Sequence, residues 1–215
     1  MEDALGTQIQ LIKKWLGTGS INIFGSPFSG KDTQGKRLSE VLDATLLGGG
    51  DILRNSVIPE DIRKMVDAGN LAPIDEYFRI VLPYLSRSEF SGKPLVLSSV
   101  GRWHGEELGV LEATSKSGHP MQAVISLDIS EQDILDRWQA QDAFAGHDRG
   151  SRHDDDAKAL KVRLEEFRNK TVPVIDFYRH RNLLIEIDGT SSADKVFSEI
   201  IRNLVKFARA KTGKD

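Results

Sequence analysis

Gly25–Thr33, GSPFSGKDT, is the stretch whose reading decides the fold. The residues before it, Ile21–Phe24 (INIF), have the composition of a short buried strand. The residues after it, Thr33–Leu42 (TQGKRLSEVL), place Leu38, Val41 and Leu42 on one side of a helix. A glycine-bounded turn therefore joins a strand to a helix N-terminus, where backbone N–H groups and the helix dipole favour anions. The spacing is G-x-x-x-x-G-K, with Asp32 where the general motif has Ser or Thr and with Thr33 one place later. Lys31 stands where an ammonium reaches outer phosphates, and Gly25 and Gly30 allow the chain to curl around them.

The 215 residues suffice for one domain with inserted flaps, and the 39% apolar share is enough to build a core. A net charge of −3 provides no basic field for nucleic acid. Without cysteine, neither disulfides nor thiolate zinc sites can form. No apolar run approaches the roughly 18 residues of a membrane span. The acidic start at Glu2 and Asp3 lacks a secretory leader pattern. The expectation is a cytoplasmic monomer with no nucleic-acid or membrane partner.

Outward from the loop, residues 4–16 carry Leu5, Ile9, Ile12, Trp15 and Leu16 at helical spacing. This is either a helix packed on the core or one that binds a partner. Ala44–Leu47 is a very short strand candidate, followed by Gly48–Gly50. Helical patterns then cover Asp51–Ser56, Pro59–Ala68 and Pro73–Leu85, where Pro83 must end or bend the helix. They form a strandless insert over about 48–90. Pro94–Ser98 and Met121–Asp128 are strands, and Ser130 begins a helix with Asp133 three residues on, a capping-box variant. Asp142–Asp156 is charged and aperiodic, as a flap would be. Ala157, Leu160, Leu164 and Phe167 mark a helix, and Pro173 permits a break before Val174–Tyr178. Leu183–Ile187 is the last strand and Ser191–Ala208 the closing helix. Strands near 21, 45, 94, 121 and 183 alternate with helices. That predicts an α/β fold with a parallel five-stranded sheet, helices on both faces, and ligands beyond the strands' carboxyl ends.

Phosphoryl transfer asks for positioning and positive charge. Arginines fall where that edge or a flap is expected: Arg54, Arg102, Arg137, Arg149, Arg152 and Arg163. A guanidinium binds two phosphate oxygens at once.

Taken in order, these segments resemble the adenylate kinases and the wider nucleoside monophosphate kinase family over about residues 20–205. The shared features are G-x-P-x-x-G-K-x-T-Q (GSPFSGKDTQ), G-D-x-L-R (Gly50–Arg54), A-G-x-L-x-P (Ala68–Pro73), R-x-D-D (Arg152–Asp155) with Arg163 beyond it, P-V-I-x-F-Y (Pro173–Tyr178), and Asp188–Gly189. The resemblance implies a P-loop NTPase-like fold in one domain over 1–215, an insert that binds the monophosphate, and a short LID at about 141–154. It implies ATP with Mg²⁺ as donor and a nucleoside monophosphate, AMP first, as acceptor. ATP would lie on Gly25, Ser26, Pro27, Phe28, Ser29, Gly30, Lys31, Asp32, Thr33, Arg137 and Gly189. The monophosphate would lie on Gly49, Arg54, Arg102, Glu106, Arg152 and Arg163. Lys31, Arg102, Arg137, Arg152 and Arg163 would act in catalysis, and Asp154 and Asp155 would pin the LID.

The chain also departs from that family. The aspartate of L-D-G-F-P-R, which helps organise waters around Mg²⁺, is Ser98 in LSSVGR (Leu97–Arg102). Asp32 is a candidate replacement; the other reading makes it a helix cap. A second LID-helix arginine is Gln141, and the threonine that touches the acceptor base is Gly49. The base-reading glutamine is Glu106, which as a carboxylate only accepts hydrogen bonds and suits guanine or cytosine; the bland reading is a solvated helix residue. These changes leave open GMP or CMP as acceptor, and Ser98, Gly101 and Gln141 leave open a nucleotide-binding protein with weakened catalysis. His147 and His153 sit among acids in the LID, without thiol partners for a metal site.

Overall fold

The computed structural model describes residues 2–144 and 157–213. Five strands are ordered β2-β3-β1-β4-β5: β1 Ser20–Gly25, β2 Thr45–Gly48, β3 Leu95–Ser98, β4 Met121–Asp128 and β5 Leu184–Asp188. All four pairings are parallel. The central strands are apolar on both faces, as a sheet covered on both sides requires. Phe24, Leu95, Leu97 and Val124 face one core. Ile21, Ile23, Val96 and Ile125 face the other.

The second core is closed by α1 (Glu2–Leu16), α2 (Lys31–Leu42) and α10 (Ala193–Thr212). Ile12 and Leu16 of α1 are buried with Leu204 and Val205 of α10, so of the two readings of this helix the core-packed one describes what is seen. The first core is closed by α3 (Gly49–Arg54), α4 (Glu60–Asp67), α5 (Ile74–Leu85), α6 (Glu106–Lys116) and α9 (Val172–His180). Helices α3 to α5 form the expected strandless stretch between β2 and β3.

The remaining helices are α7 (Glu131–Phe144) and α8 (Ala157–Glu166). At the start of α7, Ser130 and Asp133 cap each other: the Asp133 N–H donates to Ser130 Oγ at 3.1 Å and the Ser130 N–H to Asp133 Oδ2 at 3.3 Å. Two prolines behave differently from one another. Pro83 lies inside α5, which stops two residues later. Pro173 makes no break, contrary to expectation. Helix α8 runs into a π-turn at Phe167–Thr171 and then into α9, whose first turn holds Pro173. A proline is tolerated there because first-turn N–H groups need no intrahelical acceptor. Among the described residues, no helix is long and apolar enough to cross a membrane.

Register brings the strand ends into line. Gly48 pairs with Ser98, Gly25 with Leu127 and Asp128 with Asp188. The chain after β1 passes to β2 on one side, while β4 lies on the other. The crevice at such a reversal is where open α/β sheets bind ligands.

Candidate active site

The loop after β1 is wound tightly against itself. A Cβ on Gly25 would collide with the Ser29 side chain and crowd the Leu127 carbonyl, so a larger residue there would force the loop to shift. Phe28 has φ +62° and Gly30 φ +88°, and α2 begins immediately with Lys31. A non-glycine residue at positive φ stores strain of order 1–3 kcal/mol, which persists where the surroundings enforce it. Lys31 Nζ lies 3.5 Å from the Ser26 carbonyl, across the loop's concavity. The hydroxyls of Ser26 and Ser29 are sealed from solvent without a hydrogen-bond partner. Orphaned hydroxyls of this kind suit a loop whose partner is a ligand.

One cleft collects most of the candidates. It is lined by Gly25 and Pro27 at the end of β1 and in the loop, Lys31 and Asp32 from the first turn of α2, Gly49 and Arg54 from α3, Ser98 at the end of β3, Arg102 after it, Glu106 from α6 and Arg163 from α8. Four cations, from residues far apart in sequence, thus share a wall at the carboxyl edge. A phosphate-rich ligand matches that charge. Arg54 is braced by Asp51 at 2.6 Å. Arg163 packs on the Gly69 turn and over the Phe28 ring, 5.9 Å from its centroid. Gly49 backs onto the Ser99 carbonyl, which would lie 2.7 Å from a Cβ. That close approach is why a threonine has no room at this position.

Arg102 is positioned from three directions. Asn22, buried in β1, donates from Nδ2 to the Val100 carbonyl at 2.7 Å and accepts the Val100 N–H at 3.3 Å. The Gly101 N–H donates to the Tyr77 hydroxyl at 2.5 Å. The N–H groups of Arg102 and Trp103 both donate to Glu106 Oε2, at 2.8 and 3.0 Å. Loss of water lowers the Arg102 pKa, as does Arg163, while Glu106, Tyr77 and Glu166 oppose that shift. Burial pushes the Glu106 carboxyl up to about 7, against the pull of the Trp103 and Arg102 N–H groups and the Arg102 guanidinium. Glu106 is 1% exposed, so the solvated reading of this residue is overturned. Burial also raises the Tyr77 phenol, with Glu106 adding to the shift.

Asp32 is not a helix cap. The capping position of α2 is Gly30, with no side-chain cap bond. The Asp32 carboxylate instead accepts a hydrogen bond from Ser98 Oγ at 2.9 Å. Ser98, which stands where the resembling family has an aspartate, therefore holds an aspartate supplied by the first turn of α2.

Other candidates lie elsewhere. Arg137 is not on the Lys31 cleft; its guanidinium donates to the carbonyls of Phe28 at 3.2 Å, Gly189 at 2.6 Å and Thr190 at 3.2 Å. It ties the phosphate loop to the turn after β5. Thr33 is exposed in the first turn of α2. Arg149, Arg152, Asp154, Asp155, His147 and His153 lie outside the described residues.

Sequence reasoning missed four positioning residues. Asn22 was legible as the polar residue inside INIF. Tyr77 carried no signal. Glu166 and Lys170 stand four apart, a helical ion-pair spacing. Glu166 Oε2 takes the Leu71 N–H at 3.1 Å and Lys170 Nζ at 2.7 Å, and Lys170 lies 3.8 Å from the Trp103 ring centroid. The insert and the Arg102 loop thus lean on one helical turn.

Comparison with known proteins fits this geometry. The family described as adenylate kinase matches residues 23–183. An adenylate kinase of Thermus thermophilus is 30% identical over 187 residues, covering 84% of this chain and 94% of its own. That of Stenotrophomonas maltophilia R551-3 is 29% identical over 184 residues, covering 83% and 95%. That of Methanococcoides burtonii is 26% identical over 216 residues, covering 87% and 99%. With its phosphate loop, its sheet and this match over most of its length, the chain belongs to the adenylate kinase family of ATP-dependent phosphotransferases.

Proposed function

We propose that the chain moves the γ-phosphoryl group of ATP reversibly onto a nucleoside monophosphate, with AMP as the acceptor, giving two diphosphates. The observation that carries this reading is the shared cleft of Lys31, Arg54, Arg102 and Arg163 beside the phosphate loop. Lys31 contacts the migrating group and the donor's β-phosphate. Arg54 and Arg102 hold the acceptor phosphate, and Arg163 faces the charge that develops between them. Gly189 and its neighbours present backbone to the donor base, and Arg137 and Arg152 are assigned to the donor phosphates. The insert over about 48–90 and the LID at about 141–154 are the parts that bring these groups in and exclude water.

Magnesium would enter with ATP, neutralising phosphate charge. The donor set fits a hard cation, since Asp32 is held by Ser98 on the wall beside Lys31. Among the described residues no three acids or histidines gather into a metal site. Mg²⁺ needs no such cage, because it keeps several waters and takes one or two carboxylates plus substrate phosphates. Asp32→Asn keeps the shape and removes the charge. The Mg²⁺ concentration for half-maximal turnover is expected to rise about tenfold, a loss of about 1.4 kcal/mol. Calorimetry should show less Mg²⁺-dependent tightening of ATP. An unchanged magnesium requirement removes Asp32 from this role.

A second reading keeps the chemistry and changes the acceptor to GMP or CMP. The buried carboxyl of Glu106 on the cleft favours it. Initial rates with AMP, GMP, CMP, UMP and dTMP under one ADP-release assay test both readings. AMP is expected to lead near neutral pH, and a lead by another base selects the second.

A further inference from the structure

Glu166, Lys170 and Trp103 do not line the Lys31 cleft, yet each is joined to a residue that does. Glu166 Oε2 accepts the N–H of Leu71, on the insert's side of the cleft, at 3.1 Å. The same oxygen takes Lys170 Nζ at 2.7 Å. That ammonium also lies 3.8 Å from the ring centroid of Trp103, the residue after Arg102. Both charges of the pair are largely withdrawn from solvent: 14% of the Glu166 side chain and 24% of the Lys170 side chain are exposed. Lys170 belongs to the π-turn Phe167–Thr171, a rare feature of helices that occurs frequently at functional sites. We propose that Lys170 is a positioning residue for the acceptor phosphate, keeping the Glu166 carboxylate engaged so that it does not draw Arg102 and Arg163 away from the ligand. This rests on the phosphotransfer reading above and names a residue outside the cleft that sets its acceptor affinity.

The reason lies in what else could neutralise Glu166. A carboxylate withdrawn from water needs a cation beside it, because burial removes its hydration. Lys170 is one such cation. Arg163 is a second, three residues back on the same face of α8. Arg102 is a third; Glu166 acts on it after loss of water, Arg163, Glu106 and Tyr77. Of these three, the two arginines line the cleft and Lys170 does not. Pairing Glu166 with Lys170 therefore uses the cation that has no phosphate to meet.

The Trp103 ring keeps that cation in place. An ammonium over an aromatic face is attracted by the ring quadrupole, and more strongly when water is excluded. Nζ is thus held between the ring and the carboxylate. Without it, Glu166 would keep the Leu71 N–H but lack a counter-charge. It would then compete with phosphate for guanidinium groups shaped to bind either anion.

The test is a double-mutant cycle at Glu166 and Lys170, read in the KM for the preferred monophosphate at saturating ATP·Mg²⁺ and in the KM for ATP. Lys170→Gln is expected to raise the monophosphate KM about tenfold, with kcat and the KM for ATP held within about twofold. Lys170→Arg keeps the charge and can lie on the ring, so its monophosphate KM should stay within about threefold of wild type. In Glu166→Gln the amide oxygen still accepts the Leu71 N–H but carries no charge. Adding Lys170→Gln to that background should change the monophosphate KM by less than about threefold. A lysine that only packs against Trp103 would give the same loss with or without the carboxylate. The comparison of Glu166→Gln with Glu166→Gln/Lys170→Gln stands even where Lys170→Gln alone fails to fold. A monophosphate KM unmoved by Lys170→Gln, an equal rise in both KM values, or a loss of about tenfold that persists in the Glu166→Gln background overturns the proposal while leaving phosphotransfer intact. Absence of wild-type turnover with every monophosphate sinks both.

Discussion

Replacing Lys31 with alanine is expected to lower kcat for ADP formation about 10³-fold, with the acceptor KM changed only a few-fold. The reason is electrostatic. The γ-phosphoryl group carries its charge through the transition state, and a fixed ammonium in a partly dry cleft stabilises that charge without reorganising. Lys31 is fixed because it begins α2 directly after left-handed Gly30, with Nζ folded back toward the Ser26 carbonyl. Alanine is a good helix former at this half-buried position, so the melting temperature should hold. A coupled ADP-release assay reads the loss. Turnover within tenfold of wild type would move the chemistry away from this lysine. A wild-type chain with no Lys31-dependent turnover on any monophosphate would instead be a nucleotide-binding protein.

Arg102→Ala should lower kcat/KM for the monophosphate about 10²-fold and leave the KM for ATP nearly unchanged. Two charge-assisted hydrogen bonds to phosphate, at about 1.5–3 kcal/mol each before coupling, set that scale. Arg102→Lys should recover less than tenfold of it, because a single ammonium cannot present a planar fork. The backbone contacts that shape the loop do not depend on the side chain: the N–H groups of Arg102 and Trp103 still donate to Glu106, and Asn22 still holds Val100. A loss confined to acceptor kinetics, with an unchanged melt, separates a binding role from a structural one. An equal rise in both KM values would point to collapse of the loop.

Both residues were legible in the sequence, for different reasons. Lys31 sits inside a motif whose spacing reports one local conformation, a strand, a tight turn and a helix start. Arg102 was legible only through the order of several segments. Asn22 and Tyr77, which place Arg102, act through contacts 78 and 24 residues away along the chain. Glu166 reaches Leu71 across 95 residues. Periodicity describes neighbours on one element and is silent about such pairs. Pro173 misled for a related reason: a proline's local preference for a break yielded to the π-turn before it, which let a new first turn begin. The two readings of Asp32 were separable only once Ser98 was seen beside it.

The amino-acid pattern alone determined the alternation of strands and helices, the phosphate loop and the parallel sheet, because burial on two faces and the geometry of a helix start are enforced within a few residues. The tertiary structure decided which of the scattered arginines share a wall and which one, Arg137, ties the loop to the opposite turn. It also decided that Glu106 is buried with one oxygen already used. Charge and hydrogen-bond state depend on what surrounds a group in space, and strand order, which local sequence does not encode, determines those surroundings.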